Sequence, residues 1–366
     1  MELFSEPHEI DALLERVIAA LGSIQFDSFV VGFKREPGYT RDTHEAKFRR
    51  AKIALGLAIE NRFTGTHVDF QHPDVRIDVD GRLNVTATSS PLFVAGRYRK
   101  LARNVSASRW IHHRCSGRGC ESCGYAGTLC SPSIEELLSK PLLEQTRGKG
   151  ILFHGLGRED TDARMLGIGR PFVVEVHRPE RRFPRLTEVE TCVNRMAAGN
   201  VEVLSMAPTT RRDMNEMKST LTPKTYRAWI AFDGELPLDI AQRTRNLRGT
   251  AVAQMSPNRV KKRRGEHTHR TKHILESQWL GIVHSRGVWE VRVESGTYVK
   301  ELVSGDRGRT EPSISSVLEV PCRCVALDVL DIEWQPPWES RERDPRHTEP
   351  LPDSSLSKSE LTVGGE

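Results

Sequence analysis

Between residues 151 and 176 the chain carries a dense run of charge flanked on both sides by strand-like segments. Ile151-Leu152-Phe153 is short and apolar and reads as a strand. Gly155 and Gly157 then free the backbone for a tight turn. Gly157-Arg158-Glu159-Asp160-Thr161-Asp162-Ala163-Arg164 follows, with three carboxylates and two guanidiniums in eight residues. Behind it, Gly167-Ile168-Gly169-Arg170-Pro171 leads into Phe172, Val174 and Val176, alternating as a second strand. The pattern demands a polar loop at a strand end, where folds commonly carry chemistry on a rigid scaffold. A solvated, salt-bridged turn is the bland reading of the same residues.

The remaining chain bounds the architecture. Its 366 residues suggest two or three domains. No apolar run is long enough to cross a bilayer, and the N-terminus lacks the basic and apolar regions of a signal peptide. A cytoplasmic protein with no membrane partner is expected. Net charge is only +5, but it is clustered. Seven Lys or Arg residues and one acid lie between Arg259 and Lys272, and Arg97, Arg99, Lys100, Arg103 and Arg109 form a second run. Both suit a phosphate backbone, and a solvated basic loop is the alternative.

Four of the seven cysteines crowd between Cys115 and Cys130. In a cytoplasmic protein that spacing points to metal rather than disulfides. His112-x-x-Cys115 and Cys120-x-x-Cys123 flank a tight glycine turn, and three sulfurs with one nitrogen suit tetrahedral zinc. His113 or Cys130 stands as an alternative to His112, and free thiols are the competing reading.

Periodicity places the other elements. Ile10, Leu13, Leu14, Val17, Ile18 and Leu21 predict a helix over 9–21, and Phe48, Ala51, Leu55 and Ile59 a second over 44–60. Strands are expected at Phe29-Val30-Val31, 75–79, 83–85, 91–96, 224–230 and 289–293. Ser133 with Glu136, and Thr187 with Glu190, read as capping boxes opening helices. The tail beyond Trp338, rich in Pro, Ser and charge, reads as disordered.

Three separated segments now agree. Gly157-Arg158-Glu159-Asp160 resembles the Gly-Arg-x-Asp motif of the pseudouridine synthase superfamily. Gly296-Thr297-Tyr298-Val299-Lys300 resembles its late Gly-Thr-Tyr motif, and Lys224-Thr225-Tyr226 supplies the tyrosine expected between them. Longer strings, Phe93–Tyr98, Gly157–Arg164, Gly169–Glu175 and Gly296–Thr310, are similar to the archaeal and eukaryotic tRNA pseudouridine(54/55) synthases. The likeness runs from about Pro91 to Pro337. Two departures touch the metal: Phe26-Asp27-Ser28-Phe29 stands where relatives carry a Cys-x-x-Cys pair, and His112 where they tend to have Cys.

The resemblance implies an α+β protein in four parts. Residues 1–110 would be a THUMP-containing RNA-binding domain, 111–130 a small zinc knuckle with ligands His112, Cys115, Cys120 and Cys123, and 131–338 the catalytic domain with a mixed, largely antiparallel sheet. Residues 339–366 would be a disordered tail. It implies an isomerase that converts uridine to pseudouridine in the T-arm of tRNA, at position 54, 55 or both, without an organic cofactor or obligatory protein partner. Asp160 takes the essential carboxylate role, with Asp162 its rival. Lys300 is expected as its buried ion partner, Arg158 as an orienting or RNA-contacting group, Tyr226 and Tyr298 at the substrate, and Leu302 in the pocket wall. A non-catalytic zinc-knuckle RNA-binding protein accounts for the basic runs and cysteines but not for the ordered Asp, Tyr and Lys segments. A THUMP-bearing methyltransferase or thiolation enzyme requires a glycine-rich cofactor or phosphate loop between strand and helix, which the sequence lacks. A glycosidase with paired carboxylates has no use for a basic RNA-binding surface.

Overall fold

Apolar alternation builds two separate sheets in the computed structural model, which describes residues 7–34, 41–129, 132–257, 269–342 and 344–347. The first sheet has the order β2-β1-β3-β4, from β1 (Ser28–Phe33), β2 (His67–Val68), β3 (Val75–Val79) and β4 (Val85–Ser89). Two helices cover it, α1 (Pro7–Leu21) and α2 (Arg41–Arg62). Leu13, Val17 and Leu21 repeat every four residues along α1, and Ala51, Leu55 and Ile59 do the same along α2. Both rows are buried, and Leu13, Val17, Leu21, Leu55 and Ile59 cluster with Val75, Ile77 and Val79, the inward set of β3.

The second sheet holds β5 (Leu92–Lys100), β6 (Gly150–Gly155), β7 (Arg164–His177), β8 (Val201–Thr209), β9 (Lys224–Phe232), β10 (Ala251–Met255), β11 (His269–Val283), β12 (Arg286–Val293), β13 (Thr310–Glu311) and β14 (Cys322–Ile332). Its order is β13-β10-β11-β12-β9-β14-β7-β5-β8, with β6 paired to the far half of β7. Among the described residues β14–β7 is its one parallel pair, so the sheet is mixed and largely antiparallel. β5, which the sequence reading groups with the first 110 residues, runs inside this sheet between β7 and the edge strand β8.

That parallel pair is short, joining Asp328 to Arg164 and Val329 to Met165. Just beyond it β7 bends at Gly167, whose φ is +60°. A Cβ there would sit 1.9 Å from the Leu330 carbonyl oxygen, so glycine is required for β7 to pass β14. Two cores meet at this junction. Helices α3 (Ile134–Thr146), α4 (Leu186–Ala197) and α5 (Arg211–Ser219) pack one core over β5, β7 and β8. The other gathers Ile230, Ile274, Trp289 and Val291 with the short helix α6 (Ile240–Arg245) and α7 (Val299–Ser304). Tyr226 packs against both cores.

The Ser133–Glu136 capping box forms as expected: the Glu136 amide donates to Ser133 Oγ at 3.2 Å and the Ser133 amide donates back to Glu136 Oε2 at 2.9 Å. Thr187 and Glu190 make no such box. Their helix starts earlier, at Leu186, and Glu190 instead accepts the Met206 amide at 3.1 Å, tying α4 to β8. The tail also departs from expectation over its first residues. Trp338 is buried beside Trp334, Glu339 pairs with buried Arg97, Arg341 reaches Asp213 at 2.6 Å, and Arg346 reaches Asp27 in the small unit at 2.7 Å. Aromatic burial and paired guanidiniums outweigh the Pro- and charge-rich composition there. Residues 348–366 lie outside the described residues. Arg182 completes the link between units, pairing with Asp74 at 2.8 Å and donating to the Ser90 carbonyl at 2.7 Å.

Candidate active site

The Gly157–Arg164 loop crosses the sheet at the β14–β7 junction and is held from beneath by charge. Glu159, not Asp160, is the buried carboxylate, with its side chain 2% exposed. Arg170 Nε donates to it at 2.8 Å, the Tyr98 hydroxyl donates at 3.1 Å, and Lys100 Nζ stands 3.4 Å away. Burial opposes charge at Glu159, yet Arg170 and Lys100 hold its carboxyl below the ordinary value. Burial in turn lowers the Lys100 ammonium and, together with Glu159, raises the Tyr98 phenol far above its usual value.

The loop backbone is pinned carbonyl by carbonyl. Lys100 Nζ donates to the carbonyls of Asp160 and Thr161 at 2.9 and 3.2 Å, and the Asn104 amide donates to Thr161 at 2.8 Å. Arg103 donates to the Asp162 carbonyl at 2.9 Å and to the buried Asp328 carboxylate at 2.6 Å, which Arg164 also grips at 2.7 Å. The basic run of β5 and the segment after it is therefore turned inward at Arg97, Lys100 and Arg103. This corrects its reading as an RNA-facing patch. A strand paired on both sides sends its side chains into the layers above and below, where Arg97 and Lys100 find carboxylates and carbonyls, as does Arg103 just beyond the strand end.

Above this base, Asp160 and Asp162 stand 41% and 56% exposed. Lys300, on the first turn of α7, reaches both: 3.2 Å to Asp160 and 2.7 Å to Asp162. The sequence reading makes Lys300 a buried partner of Asp160 alone; it is a half-buried bridge between the two carboxylates. Burial works against its charge, but the hydrogen bond to Asp162 and the charge of Asp160 raise its pKa.

A cavity of about 900 Å³ opens over the loop. Asp160, Arg158, Tyr226, Tyr298 and Lys300 all line it, so the structure brings together five of the six catalytic and substrate residues expected from sequence. Leu302 is the sixth. It is fully buried in the core beneath α7, and Leu327 and Val329 of β14 supply apolar wall instead. Arg158 is exposed at the rim. The Tyr226 phenol is pushed up to about 12 by burial, with Glu159 and Asp160 adding to the rise. Two residues earlier on the same strand face, Lys224 also lines the cavity; burial and then Arg170 push it down to about 8. Lys224 donates to the Thr222 carbonyl at 3.2 Å and to Ser295 Oγ at 3.3 Å. Gln254, fully buried, clamps the Tyr298 main chain on both sides, at 2.9 Å through its oxygen and 3.0 Å through its nitrogen. Sequence reasoning missed Glu159, Lys224 and Gln254. The signal available for Glu159 was an arginine, Arg170, set immediately before the apolar run of β7.

The cysteine-rich segment begins just after Trp110, which lines the cavity. His112, Cys115, Cys120 and Cys123 present their donor atoms within 4.8 Å of one another. His112 Nδ1 lies 3.5 Å from Cys115 Sγ and 3.6 Å from Cys120 Sγ, and Cys120 Sγ lies 3.8 Å from Cys123 Sγ. Amides of Cys120 and Gly127 donate to Cys123 Sγ at 3.2 and 3.4 Å. His113 is not part of this group, and Cys130 lies outside the described residues.

The family model described as Pus10, C-terminal, matches residues 93–333. The chain is 38% identical over 323 residues to the tRNA pseudouridine synthase Pus10 of Methanothermobacter marburgensis, covering 85% of this chain and 79% of that protein. It is 35% identical over 337 residues to the protein of the same name from Korarchaeum cryptofilum, covering 88% of this chain and 90% of that one. A solved Cbf5-Nop10-Gar1 complex aligns over 55% of this chain and 45% of the other at 17% identity and a TM-score of 0.35, too loose a likeness to argue from.

The buried charge cluster makes a direct prediction. Glu159→Gln leaves Arg170 and Lys100 in the interior without their carboxylate, and stability to urea should fall by about 3–5 kcal/mol. A loss below about 1 kcal/mol would mean that the cluster does not hold the loop.

Proposed function

The chain belongs to the Pus10 family of tRNA pseudouridine synthases, and on that premise we propose that it isomerises uridine in the T-arm of tRNA, at position 54, 55 or both, with Asp160 as its essential carboxylate and no organic cofactor. The observation that carries this reading is the meeting of Asp160, Tyr226 and Lys300, from three separated segments, around one cavity. A non-catalytic RNA-binding protein needs the knuckle and basic surface but has no use for that convergence.

The chemistry follows from the side chains. A stacked uridine must be extracted from the RNA before any group reaches its glycosidic bond. The Asp160 carboxylate then meets the sugar–base junction as nucleophile or base, its charge supported by Lys300. The N1–C1′ bond breaks, the uracil turns within the cavity, and a C5–C1′ bond forms. The proton lost from C5 is balanced by the one gained at N1. Tyr226 offers its face to the uracil, and a phenol pushed up to about 12 stays protonated at neutral pH, so it donates a hydrogen bond rather than acting as a phenolate. Asp162 shares Lys300 and serves as a positioning group.

Several surfaces fit the RNA. Arg270 and Lys272, on β11, stand over Gly296, with Arg270 Nη1 3.8 Å and Lys272 Cε 3.7 Å from where a Cβ would lie. They belong to the basic run of 259–272, whose residues 259–268 lie outside the described residues. We assign that run to the T-arm backbone, and the N-terminal unit, as the THUMP-containing domain, to the more distant acceptor end. Zinc suits the knuckle: bonds of about 2.3 Å to sulfur and 2.0 Å to nitrogen put tetrahedral ligands roughly 3.5–3.8 Å apart, the spacing of the His112–Cys115, His112–Cys120 and Cys120–Cys123 pairs, and all four donor atoms lie within 4.8 Å of one another. Its role is structural, to fold a loop with little core of its own. A tRNA substrate implies a cytoplasmic location.

Two measurements test the reading. Asp160→Asn should lower pseudouridine formation in tRNA transcripts by at least ~10²–10⁴-fold, with tRNA affinity nearly unchanged; full-speed isomerisation would end the assignment. Because Lys224 is pushed down to about 8 and loses its positive charge as pH rises, kcat/KM should fall through that pH in the wild type. Lys224→Met should lack that limb, and an identical limb in both proteins would assign it to another group.

A further inference from the structure

Trp110 lines the same cavity as Asp160 and Tyr226. It lies half-buried on the irregular segment between β5 and α3. Two anchors hold that segment. On one side, the amides of Ile134 and Glu135 donate to the carbonyls of Ser106 and Ala107 at 3.0 and 3.1 Å, and the Arg109 amide donates to Glu135 at 3.0 Å, fixing 106–109 to the start of α3. On the other, the Leu129 amide donates to the Trp110 carbonyl and the His112 amide to the Gly127 carbonyl, both at 2.9 Å. An Ile111–Thr128 bridge lies between those bonds. Trp110 is thus tied directly to the knuckle, two residues before its histidine. An ion that fixes His112 against Cys115, Cys120 and Cys123 also fixes the backbone from which the indole projects.

The reaction leaves a need for such a group. Extracting a uridine unstacks its neighbours as well as itself, and those bases need a surface to rest on. The cavity, about 900 Å³, falls near the top of the range of roughly 300–1,000 Å³ typical of sites for whole small molecules, so it has room beyond one pyrimidine nucleoside. We propose that Trp110 is a positioning residue: its indole stacks on a nucleotide flanking the extruded uridine, and the metal-bound knuckle holds it there. This rests on the pseudouridine synthase reading and deepens it, giving the knuckle a part in substrate placement.

The test uses the full-length, zinc-loaded protein and a T-arm RNA carrying 2-aminopurine beside the target uridine. Stacking on an aromatic face quenches the probe. The wild type and Trp110→Phe should quench it, and Trp110→Ala and Trp110→Leu should leave it bright. Affinity in the last two should fall roughly ten- to hundredfold, the range that base–aromatic stacking supports. Leucine keeps the apolar bulk, so a folding defect limited to the alanine variant leaves the comparison intact. Chelating the zinc should brighten the probe in the wild type and change nothing further in Trp110→Leu. Equal quenching by wild type and Trp110→Leu, or an equal effect of chelation on both, would overturn the proposal. Pseudouridine formation by the wild type on unlabelled transcript is scored separately. Its absence would strike the synthase reading, whatever the probe reports.

Discussion

Three consecutive carbonyls, those of Asp160, Thr161 and Asp162, are held by one short segment of another strand and its extension. Lys100, Arg103 and Asn104 each take one or two of them. Everything above that point depends on it. An aspartate 41% exposed at a cavity mouth is directed by Lys300 from above and by its own backbone from below. Hydrogen bonds from ionised groups fix that backbone more strongly than neutral ones.

The arrangement is costly by itself. Glu159, Arg170 and Lys100 are fully or almost fully removed from water, and each such ion carries a desolvation penalty of several kcal/mol. Apolar side chains of similar size would fill the same space at no such cost. What ions add is direction: Arg170 reaches Glu159 and the Leu156 carbonyl at once, and Lys100 reaches Glu159 and the carbonyls of 160 and 161. The loop is pulled down at Glu159, which leaves the next side chain, Asp160, facing the cavity. The same logic continues at Asp328, where Arg103 from the segment after β5 and Arg164 from β7 converge at the parallel seam.

Much of this is legible in the sequence. The inward rows of α1, α2, β3 and β12, and the Ser133 cap, follow from spacing that local physics enforces. The residues lining the cavity, Asp160, Tyr226, Tyr298 and Lys300, were found through motif resemblance. What failed depended on long-range partners. Arg97, Lys100 and Arg103 look like a surface patch until Glu339, Glu159 and Asp328 meet them from 242, 59 and 225 residues away along the chain. Glu190 looks like a cap until the Met206 amide claims it. Leu302 looks like pocket wall because it follows Lys300, but residues two apart on a helix point in different directions, and it turns into the core. The tail from 339 looks disordered because composition cannot register that Glu339 and Arg341 have buried partners waiting in Arg97 and Asp213.

The central claim is that buried charge positions the loop without touching RNA, and Lys100 isolates it best, since its side chain is fully enclosed. The decisive measurement is single-turnover pseudouridine formation by Lys100→Met at saturating tRNA, with tRNA affinity measured alongside. The account predicts a rate reduced by about 10²-fold or more, as a misplacement near 1 Å produces, with affinity unchanged. A normal rate with weakened, salt-sensitive binding would contradict it, and would return Lys100 to the RNA-facing patch that the sequence suggests.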